Sequence, residues 1–362
     1  MKEIRMSFPS LPPLEEYIDE IRSLWTTGQI TNIGEKVHSL ENEIALYLGV
    51  PYATVFTNGH TALEIALEVL ELQGEVITTP YTFVSTTLAI LRRGLHPVFC
   101  DIKEDFTINE EQVEAAITDK TCAILPVHVY GNLCNHKKLM EISERYNIPI
   151  IYDAAHAFGV EENGRGIGGF GKISMFSFHA TKIFNTVEGG VLTYSDISLK
   201  RKLEEIRNFG LYRGEPVSVG TNAKMSEIHA AMGLCNLRYL EEEIEKRKML
   251  TQLYNQMLGG CEGIILNQIP HDVKYNYAYY PIRIIQKSRK ESRDDVFKRL
   301  EANKIYARKY YSPLMTQLLF VNNNSKRTCM VAQELVDEVI TLPLNSRMEE
   351  DDVKRVCQVI KN

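Results

Sequence analysis

The chain has 362 residues, of which 44% are apolar and 24% are charged, and its formal net charge is −6. This is the balance of an ordinary globular protein, and no extended basic run suggests a nucleic-acid-binding surface. The seven cysteines form no CxxC pair, the first residues lack an apolar signal core, and no run of about 18 apolar residues occurs. We therefore expect a cytoplasmic protein with reduced thiols, no metal site and no membrane contact.

Short apolar runs alternate with segments of helical periodicity from about residue 50 onwards. Such alternation, with strands that are apolar throughout, predicts an α/β fold whose central sheet is mostly parallel and covered on both faces. The predicted strands are 53–57, 75–79, 97–102, 122–129, 148–153 and a run that ends at Ser177. The predicted helices are 61–72, 84–94, 109–117 and 136–146.

The alternation stops after residues 189–195, and a long helical pattern follows over 225–258. Its second half is charged and amphipathic, as expected for a helix that leaves one domain for another. The residues beyond it mix strand and helix patterns, which indicates a smaller α+β domain. We predict a large domain over 1–240, including an N-terminal segment over 1–50, and a small domain over 241–362, joined by that helix.

A possible anion site follows the first predicted strand. In an open parallel sheet, ligands bind beyond the carboxyl ends of the strands, so polar residues at those points are candidates. In "NGHTALEIAL", Asn58, Gly59, His60 and Thr61 would form the first turn of a helix. Free N–H groups at such a turn attract a phosphate, and glycine allows close approach. The same pattern also serves helix capping alone, so both interpretations stay open here.

Asp153 ends the predicted strand 148–153, in "IIYDAAHAFG". A carboxylate at the end of a buried apolar strand is costly unless it is paired. It would either cap the next turn or meet a cationic atom of a ligand. His156, three residues later, is placed to lie on the same side, with a structural role as the alternative.

Lys182 lies in "SMFSFHATKIFNTVEGG", close to Phe178, Ile183 and Phe184. Burial in such surroundings lowers a lysine pKa by ~3–5 units, and the resulting free amine is the nucleophile of Schiff-base chemistry. The alternative is that the side chain extends along its own stem to water. Ser177, five residues earlier, ends the strand.

Tyr81 and Phe83 follow the strand 75–79, in "TPYTFVS", and would either pack in the core or stack on a flat ring. Together with the first turn, the strand-end carboxylate and the lysine, they match the needs of pyridoxal phosphate (PLP). This cofactor needs phosphate donors, an apolar stacking partner, a carboxylate for its pyridine nitrogen and a lysine for its aldehyde.

With these residues in this order, the chain resembles the sugar aminotransferases of the DegT/DnrJ/EryC1/StrS family, which are fold-type-I PLP enzymes. The resemblance covers nearly the whole length, because similar blocks occur in the same order. These blocks are "NGHTAL", "TPYTFVSTTLAI", "PVHVYGN", "YDAAHAFG", "SFHATKIFNTVEGG", "GTNAKMSEIHAAMG", "ARKYYSPL" and "LPLNSRMEEDDVKRV". It implies a large domain on a mostly parallel central sheet and a smaller α+β C-terminal domain.

The resemblance implies roles for four residues around the cofactor ring. Lys182 would bond to the cofactor aldehyde and then act as the general base. Asp153 would pair with the pyridine nitrogen, and Phe83 would stack on the ring. His156 stands where family members have Gln or His, near the phenolic oxygen.

The resemblance also implies a phosphate site. Ser177, the N–H groups of Gly59 and His60 and the hydroxyl of Thr61 would hold the phosphate. His60 stands where Thr or Ser is common, which leaves a backbone contact possible and removes a hydroxyl contact. Asn222, in "GTNAKMSE", is similar to an asparagine that reaches the phosphate from the second subunit, so the resemblance implies a homodimer with shared active sites.

The function implied is transfer of an amino group from L-glutamate, through the PLP and pyridoxamine phosphate forms, to a nucleotide-linked keto-6-deoxy sugar. The blocks look most like members that aminate a dTDP-4-keto-6-deoxyhexose, such as the viosamine-forming type, for cell-surface polysaccharides or natural products. The alternatives are a 3-keto-sugar aminotransferase or a non-enzymatic regulatory protein on this fold. Relatives that replace the lysine with histidine run a dehydration instead, but Lys182 is present.

Three residues stay without an assigned role. Tyr310 and Tyr311, in "ARKYYSPL", would meet the sugar nucleotide or belong to the surface. If that run is extended, they cannot both face the same side, because side chains alternate along a strand. His179 belongs to the lysine block, but the sequence gives it no physical role.

Overall fold

The structure is a computed structural model that describes residues 2–321 and 328–362. The helices are α1 (Leu14–Thr27), α2 (Glu35–Leu48), α3 (Gly59–Val69), α4 (Val84–Arg92), α5 (Glu110–Ala116), α6 (His136–Tyr146), α7 (Ile197–Ile206), α8 (Glu227–Leu237), α9 (Leu240–Leu258), α10 (Arg293–Ala302), α11 (Met330–Glu338) and α12 (Glu350–Lys361). The strands are β1 (Tyr52–Phe56), β2 (Glu75–Thr78), β3 (His96–Phe99), β4 (Thr121–Ile124), β5 (Ile151–Asp153), β6 (Glu161–Glu162), β7 (Arg165–Gly166), β8 (Ile173–Ser177), β9 (Gly190–Tyr194), β10 (Leu211–Tyr212), β11 (Glu215–Pro216), β12 (Ile264–Leu266), β13 (Val273–Lys274), β14 (Tyr280–Ile284) and β15 (Val339–Leu342).

The central sheet has the spatial order β3-β2-β4-β5-β8-β9-β1. Strand β2 pairs in parallel with β3 and β4, and β5 pairs in parallel with β8. Two parallel bridges, Ile124 with Ile150 and Val127 with Asp153, join the β4 side to the β5 side. Strand β9 runs antiparallel to both β8 and β1, so it alone opposes the other six strands of this sheet. The predicted mostly parallel sheet is confirmed.

Both faces of the sheet are covered, because successive side chains of each strand point to opposite faces. Met175 of β8 and Leu192 of β9 pack in the core that contains α3. Their neighbours Phe176 and Val191 pack in the core that contains α2. Each strand therefore contributes to two cores, which explains why the strand sequences are apolar throughout.

The helical pattern over 225–258 is divided into α8 and α9, so the prediction of one continuous helix is wrong at its middle. Tyr239 leaves the helical conformation, with φ −106° and ψ 1°. Two side chains at the junction bond to the N-terminal helix α1: Arg238 donates to Glu20, and Tyr239 donates to Glu16. These bonds hold the junction against α1, and α9 packs in the C-terminal core.

A second core lies in the C-terminal part, where β12, β14 and β15 form an antiparallel sheet covered by α9, α10 and α12. Ile4 packs in this core and pairs with Ile305, so the first described residues lie against the C-terminal part. The division of the chain at residues 240 and 241 stays a prediction. In the described ranges, no helix combines the length and the apolar character needed to cross a bilayer.

One C-terminal segment returns to the large sheet and reaches the region beyond its strand ends. Tyr311 and Leu314 pack in one core with Tyr81, Phe99 and the helix α11. This packing brings residues that are far apart in sequence to the carboxyl ends of the parallel strands, where the sequence predicts the site.

Candidate active site

A cavity of about 440 Å³ lies beyond the carboxyl ends of β5 and β8. It brings together seven of the nine predicted site residues: Gly59, His60, Phe83, Asp153, His156, Ser177 and Lys182. Thr61 and Asn222 do not line it. Among residues 2–321 and 328–362, no group of three or more His, Cys, Asp or Glu side chains is arranged to hold a metal ion.

The first turn of α3 forms one end of the cavity. The Asn58 side chain caps the helix by accepting a hydrogen bond from the Thr61 N–H at 2.8 Å. This bond uses the Thr61 amide, so Gly59 and His60 supply the first-turn N–H groups that remain for a ligand. A Cβ on Gly59 would lie 3.0 Å from the Ser177 Cβ, so any larger residue here would have to displace Ser177. The cradle therefore consists of two amides and a serine hydroxyl.

The ring of His60 is held away from this cradle. Its Nδ1 lies 2.8 Å from Ser85 Oγ, and its Nε2 lies 2.8 Å from a carboxylate oxygen of Glu64. Both nitrogens are thus engaged by α3 and α4, and only the backbone of His60 is free to meet an anion. Ser85 also lines the cavity, although the sequence analysis did not single it out.

Asp153 is buried at the end of β5, and hydrogen bonds hold both of its carboxylate oxygens. Oδ2 accepts from the Thr86 hydroxyl at 2.7 Å, and Oδ1 accepts from the Ala155 N–H at 3.1 Å. Burial raises the pKa of Asp153, while these bonds and the charge of Lys182 oppose the rise. A cation placed in the cavity would stabilise the charged form of this buried carboxylate.

Thr86 is a functional residue that the sequence analysis missed. Its hydroxyl lies 2.8 Å from the Thr82 hydroxyl, and because Thr86 donates to Asp153, Thr82 is the donor in this second bond. The signal that would have found Thr86 is its place in the first turn of α4, a helix whose N-cap residue is Phe83.

Lys182 projects into the cavity from the loop after β8. Its apolar neighbours Phe178, Ile183 and Phe184 are buried, and its Nζ lies 3.2 Å from the Tyr279 hydroxyl. Burial lowers the pKa of Lys182 to about 8, although the Asp153 charge acts in the opposite direction. About a tenth of the amine is therefore unprotonated at pH 7, and this is the form that a nucleophile or a general base requires.

His156 is buried and neutral. Its Nδ1 accepts a hydrogen bond from the Tyr130 N–H at 3.0 Å, so the ring proton is on Nε2. Nε2 lies 3.0 Å from the Tyr311 hydroxyl oxygen, to which it can donate. Burial lowers the pKa of His156 well below its usual value. The ring is thus fixed as a hydrogen-bond donor at the cavity.

The two aromatic residues after β2 have different environments. Tyr81 is fully buried and donates to the Tyr310 carbonyl oxygen, whereas Phe83 is 57% exposed and lines the cavity. Of the two, only Phe83 presents its ring to a ligand in the cavity. A planar apolar surface is thus available in the cavity.

Three tyrosines, which we call the tyrosine wall, form the other side of the cavity: Tyr279, Tyr310 and Tyr311. The run that contains Tyr310 and Tyr311 is not extended, so the condition under which they would face opposite sides does not hold. It forms a turn in which the Ser312 N–H donates to the Lys309 carbonyl, and the two rings stack with centroids 5.0 Å apart.

His179 also lines the cavity, at its mouth. Its Nδ1 lies 2.8 Å from Thr181 Oγ1, and its Nε2 lies 3.7 Å from a Glu188 carboxylate oxygen. Asn222 is exposed, and its side-chain oxygen accepts from Lys224 Nζ at 2.8 Å. Asn222 is therefore outside the cavity of its own chain but accessible to a second subunit.

The cavity fits pyridoxal phosphate. The cradle at Gly59 would accept a phosphate, the buried Asp153 carboxylate would meet a protonated pyridine nitrogen, and the Lys182 amine would meet an aldehyde. These groups belong to one continuous cavity, as a single ligand requires.

A family model of the DegT/DnrJ/EryC1/StrS aminotransferase family matches residues 14–361. The dTDP-4-amino-4,6-dideoxy-D-glucose transaminase of Shigella dysenteriae is 37% identical over 364 residues, which cover 99% of each chain. An Escherichia coli protein of the same name is 36% identical over 367 residues, covering 99% of this chain and 98% of its own. Among solved structures, DesI in the presence of its TDP-sugar product has a TM-score of 0.95 at 30% identity, covering 100% of this chain and 93% of its own.

Proposed function

The chain belongs to the DegT/DnrJ/EryC1/StrS aminotransferase family, and on that premise we propose that it transfers an amino group from L-glutamate to C4 of a dTDP-4-keto-6-deoxyhexose. It is a PLP-dependent sugar-nucleotide aminotransferase with a fold-type-I structure. One observation carries the proposal: the Lys182 amine, the buried Asp153 carboxylate and the first turn of α3 share one cavity. The 3-keto-sugar and non-enzymatic alternatives are not favoured, because the relatives described above are 4-amino-sugar transaminases.

When bound, PLP supplies an aldehyde that holds the amino group and a ring that stabilises negative charge at the adjacent carbon. Lys182 provides the proton transfer that this chemistry requires. Its Nζ would take the proton from Cα of the amino donor and deliver it to the cofactor carbon that carries the amino group. In the second half-reaction it would move a proton in the reverse direction, from that carbon to the sugar carbon that receives the amino group. A pKa of about 8 suits both directions near neutral pH, because neither protonation state is strongly disfavoured.

Asp153 and Phe83 orient the cofactor ring in this proposal. The bonds from Thr86 and Ala155 hold the carboxylate, which keeps the ring nitrogen protonated by charge pairing. The Phe83 ring provides the apolar stacking surface. His156 donates from Nε2 towards the phenolic oxygen, in the place where it now meets the Tyr311 hydroxyl.

The phosphate is held by the amides of Gly59 and His60 and by the Ser177 hydroxyl. The structure does not favour a contribution from the Thr61 amide, because the Asn58 side chain already accepts from it. The Thr61 hydroxyl stays a prediction. The helix dipole of α3 adds a favourable interaction with the phosphate charge.

A homodimer with shared active sites is part of the proposal, because Asn222 is exposed and lies outside the cavity of its own chain. Asn222→Ala and Lys182→Ala subunits, each inactive alone, should regain roughly a quarter of wild-type activity when mixed, since about half of randomly paired dimers are hybrids with one intact site. Self-mixed samples of each variant are the control. Absence of recovery would contradict sites shared between subunits.

The proposed reaction is tested in two steps. The cofactor-loaded protein should absorb visible light and lose that absorbance when L-glutamate is added. A panel of dTDP-, UDP- and GDP-linked 4-keto-6-deoxyhexoses, with products identified by mass and NMR, then assigns the nucleotide and the aminated carbon. Amination at C3, or preference for a UDP or GDP sugar, would overturn the assigned substrate.

A further inference from the structure

Tyr279 is a cavity residue to which neither the sequence analysis nor the proposed function gives a role. It lies directly before β14 in sequence, far from the lysine block, yet its hydroxyl oxygen lies 3.2 Å from Lys182 Nζ. Its ring packs on the His156 ring with centroids 4.4 Å apart, and the Tyr310 ring meets it edge-on at 6.2 Å. Tyr279 is thus held between two rings with its hydroxyl directed at the lysine.

A phenol hydroxyl in this position can bond to either protonation state of the lysine. It donates to the neutral amine and accepts from the ammonium group. Burial raises the pKa of Tyr279, so the hydroxyl stays protonated near neutral pH and does not itself remove a proton. Its action on the reaction therefore passes through Lys182.

We propose that Tyr279 is a positioning residue that holds the Lys182 amine whenever this amine is not bonded to the cofactor. A lysine side chain has four rotatable bonds, and a fixed partner at Nζ restricts them before the proton transfer. The inference rests on the proposed function, because only there is Lys182 released during turnover.

The electrostatic surroundings of Lys182 favour this interpretation. The groups that face it from the packed elements are Asp153 at the end of β5, the neutral His156 ring and the hydroxyls of Tyr279 and Tyr310. Asp153 attracts the ammonium group, but both of its oxygens already accept hydrogen bonds. Within the described residues, the Tyr279 hydroxyl is the group at hydrogen-bond distance from Nζ.

The test uses the apoprotein, in which no cofactor affects the measured pKa of the Lys182 amine. The pH dependence of Lys182 acetylation by acetic anhydride, read by mass spectrometry of the Lys182 peptide, gives the pKa of the amine. In Tyr279→Phe the buried ammonium group loses its hydrogen-bond acceptor, so this pKa should fall. A fall of about half a unit makes the acetylation rate at pH 7 rise by about threefold.

Tyr277→Phe is the matched control, because this tyrosine lies two residues away and outside the cavity lining. Its Lys182 profile should equal that of the wild type. In the loaded enzyme, Tyr279→Phe should lower kcat by about tenfold and change KM for L-glutamate less than twofold, because the lost contact acts on the base.

An unchanged Lys182 profile in a folded Tyr279→Phe protein would overturn the inference, and so would an equal shift in Tyr277→Phe. Thermal unfolding and circular dichroism report whether the variants fold. A wild-type protein that shows no absorbance change with L-glutamate would instead overturn the proposed function, so the two failures are distinguishable.

Discussion

The two sides of the cavity are built from the chain in different ways. We call the first the strand-end wall: Asp153 and Ser177, which end strands of the central sheet, and Gly59, His156 and Lys182, which follow such strands closely. The tyrosine wall comes from residues 279 and 310–311, which follow neither a strand of that sheet nor one another. Two hydrogen bonds join the walls: Lys182 to Tyr279 at 3.2 Å, and His156 to Tyr311 at 3.0 Å.

This difference suggests that one wall carries the reacting groups and the other selects the substrate. The strand-end wall holds charged or anion-binding groups on a rigid sheet, as reacting atoms require. The tyrosine wall offers hydroxyls and ring faces, which suit contacts to a sugar or a base. We therefore expect substitutions in the strand-end wall to lower kcat strongly, and those that disturb the turn at Tyr310 and Tyr311 to change KM. Tyr279 is the member of the tyrosine wall that bonds to Lys182, so its substitution should act on kcat.

The largest effect is expected from Lys182→Ala. Without the amine there is no general base, so kcat should fall by about 10³-fold or more, while the cofactor still binds non-covalently. Steady-state kinetics and cofactor retention after gel filtration measure the two quantities. Lys172→Ala, which removes an exposed lysine paired with Asp196, should keep wild-type turnover. Retained activity in Lys182→Ala would remove the central assignment.

Asp153→Asn should have the next largest effect. An amide is uncharged and no longer holds the ring nitrogen protonated, so kcat should fall by about 10²-fold with little loss of folded protein. Single-turnover kinetics with L-glutamate measure the step. The matched control is Asp196→Asn, because asparagine retains the capping of α7 that Asp196 provides. Equal turnover in Asp153→Asn and wild type would refute the role of this carboxylate.

Thr86→Val should have a smaller effect, because it removes only one bond to the carboxylate. A hydrogen bond to a charged group is worth ~1.5–3 kcal/mol, and the lower value applies here because the Ala155 N–H still holds the carboxylate. The value of kcat/KM should therefore fall by about tenfold. The Thr86 bond lowers the pKa of Asp153, so its loss should raise this pKa and move the acid limb of the pH–rate profile to higher pH.

The adjacent Thr87 provides a matched control for that variant. It is also fully buried in α4, but its hydroxyl has no hydrogen-bond partner within the described residues. Thr87→Val should leave both kcat/KM and the pH profile unchanged. An unshifted acid limb in Thr86→Val would show that Asp153 does not depend on this donor.

Most of the strand-end wall was predictable from sequence, because one rule locates it. Each apolar strand is one continuous run of the sequence. The polar residue that ends or follows each parallel strand lies at the same edge of the sheet. Gly59, Asp153 and Lys182 follow from that rule and from their residue types. Assigning Lys182 to the cavity rather than to solvent needed the other residues, since an apolar stretch alone fits both interpretations.

The tyrosine wall was not predictable in the same way. Tyr279 and Tyr310 approach the lysine only because two distant segments pack together. The sequence pattern of neither segment predicts that contact. The split between α8 and α9 was missed for a similar reason. The contacts of Arg238 and Tyr239 with α1 depend on residues more than 200 positions away.

The smallest effect is expected from Tyr130→Phe, which tests how the tyrosine wall is held. The Tyr130 hydroxyl donates to the Tyr310 carbonyl oxygen at 2.7 Å, and Tyr81 donates to the same oxygen. Because Tyr81 remains, loss of one neutral bond should cost about 1 kcal/mol, and KM for the sugar nucleotide should rise about fivefold with kcat nearly constant. Inhibition by the free nucleotide and steady-state kinetics measure the change.

Tyr152→Phe is the control for that prediction, since the Tyr152 hydroxyl is buried without a partner in the part of the chain that the structure describes. It should leave KM unchanged and not lower the free energy of unfolding. The Tyr130 backbone N–H, which donates to His156, is retained in Tyr130→Phe, so the strand-end wall keeps its geometry. A fall in kcat at constant KM would therefore mean that the turn at Tyr310 and Tyr311 serves the chemical step, and the separation between the two walls would be lost.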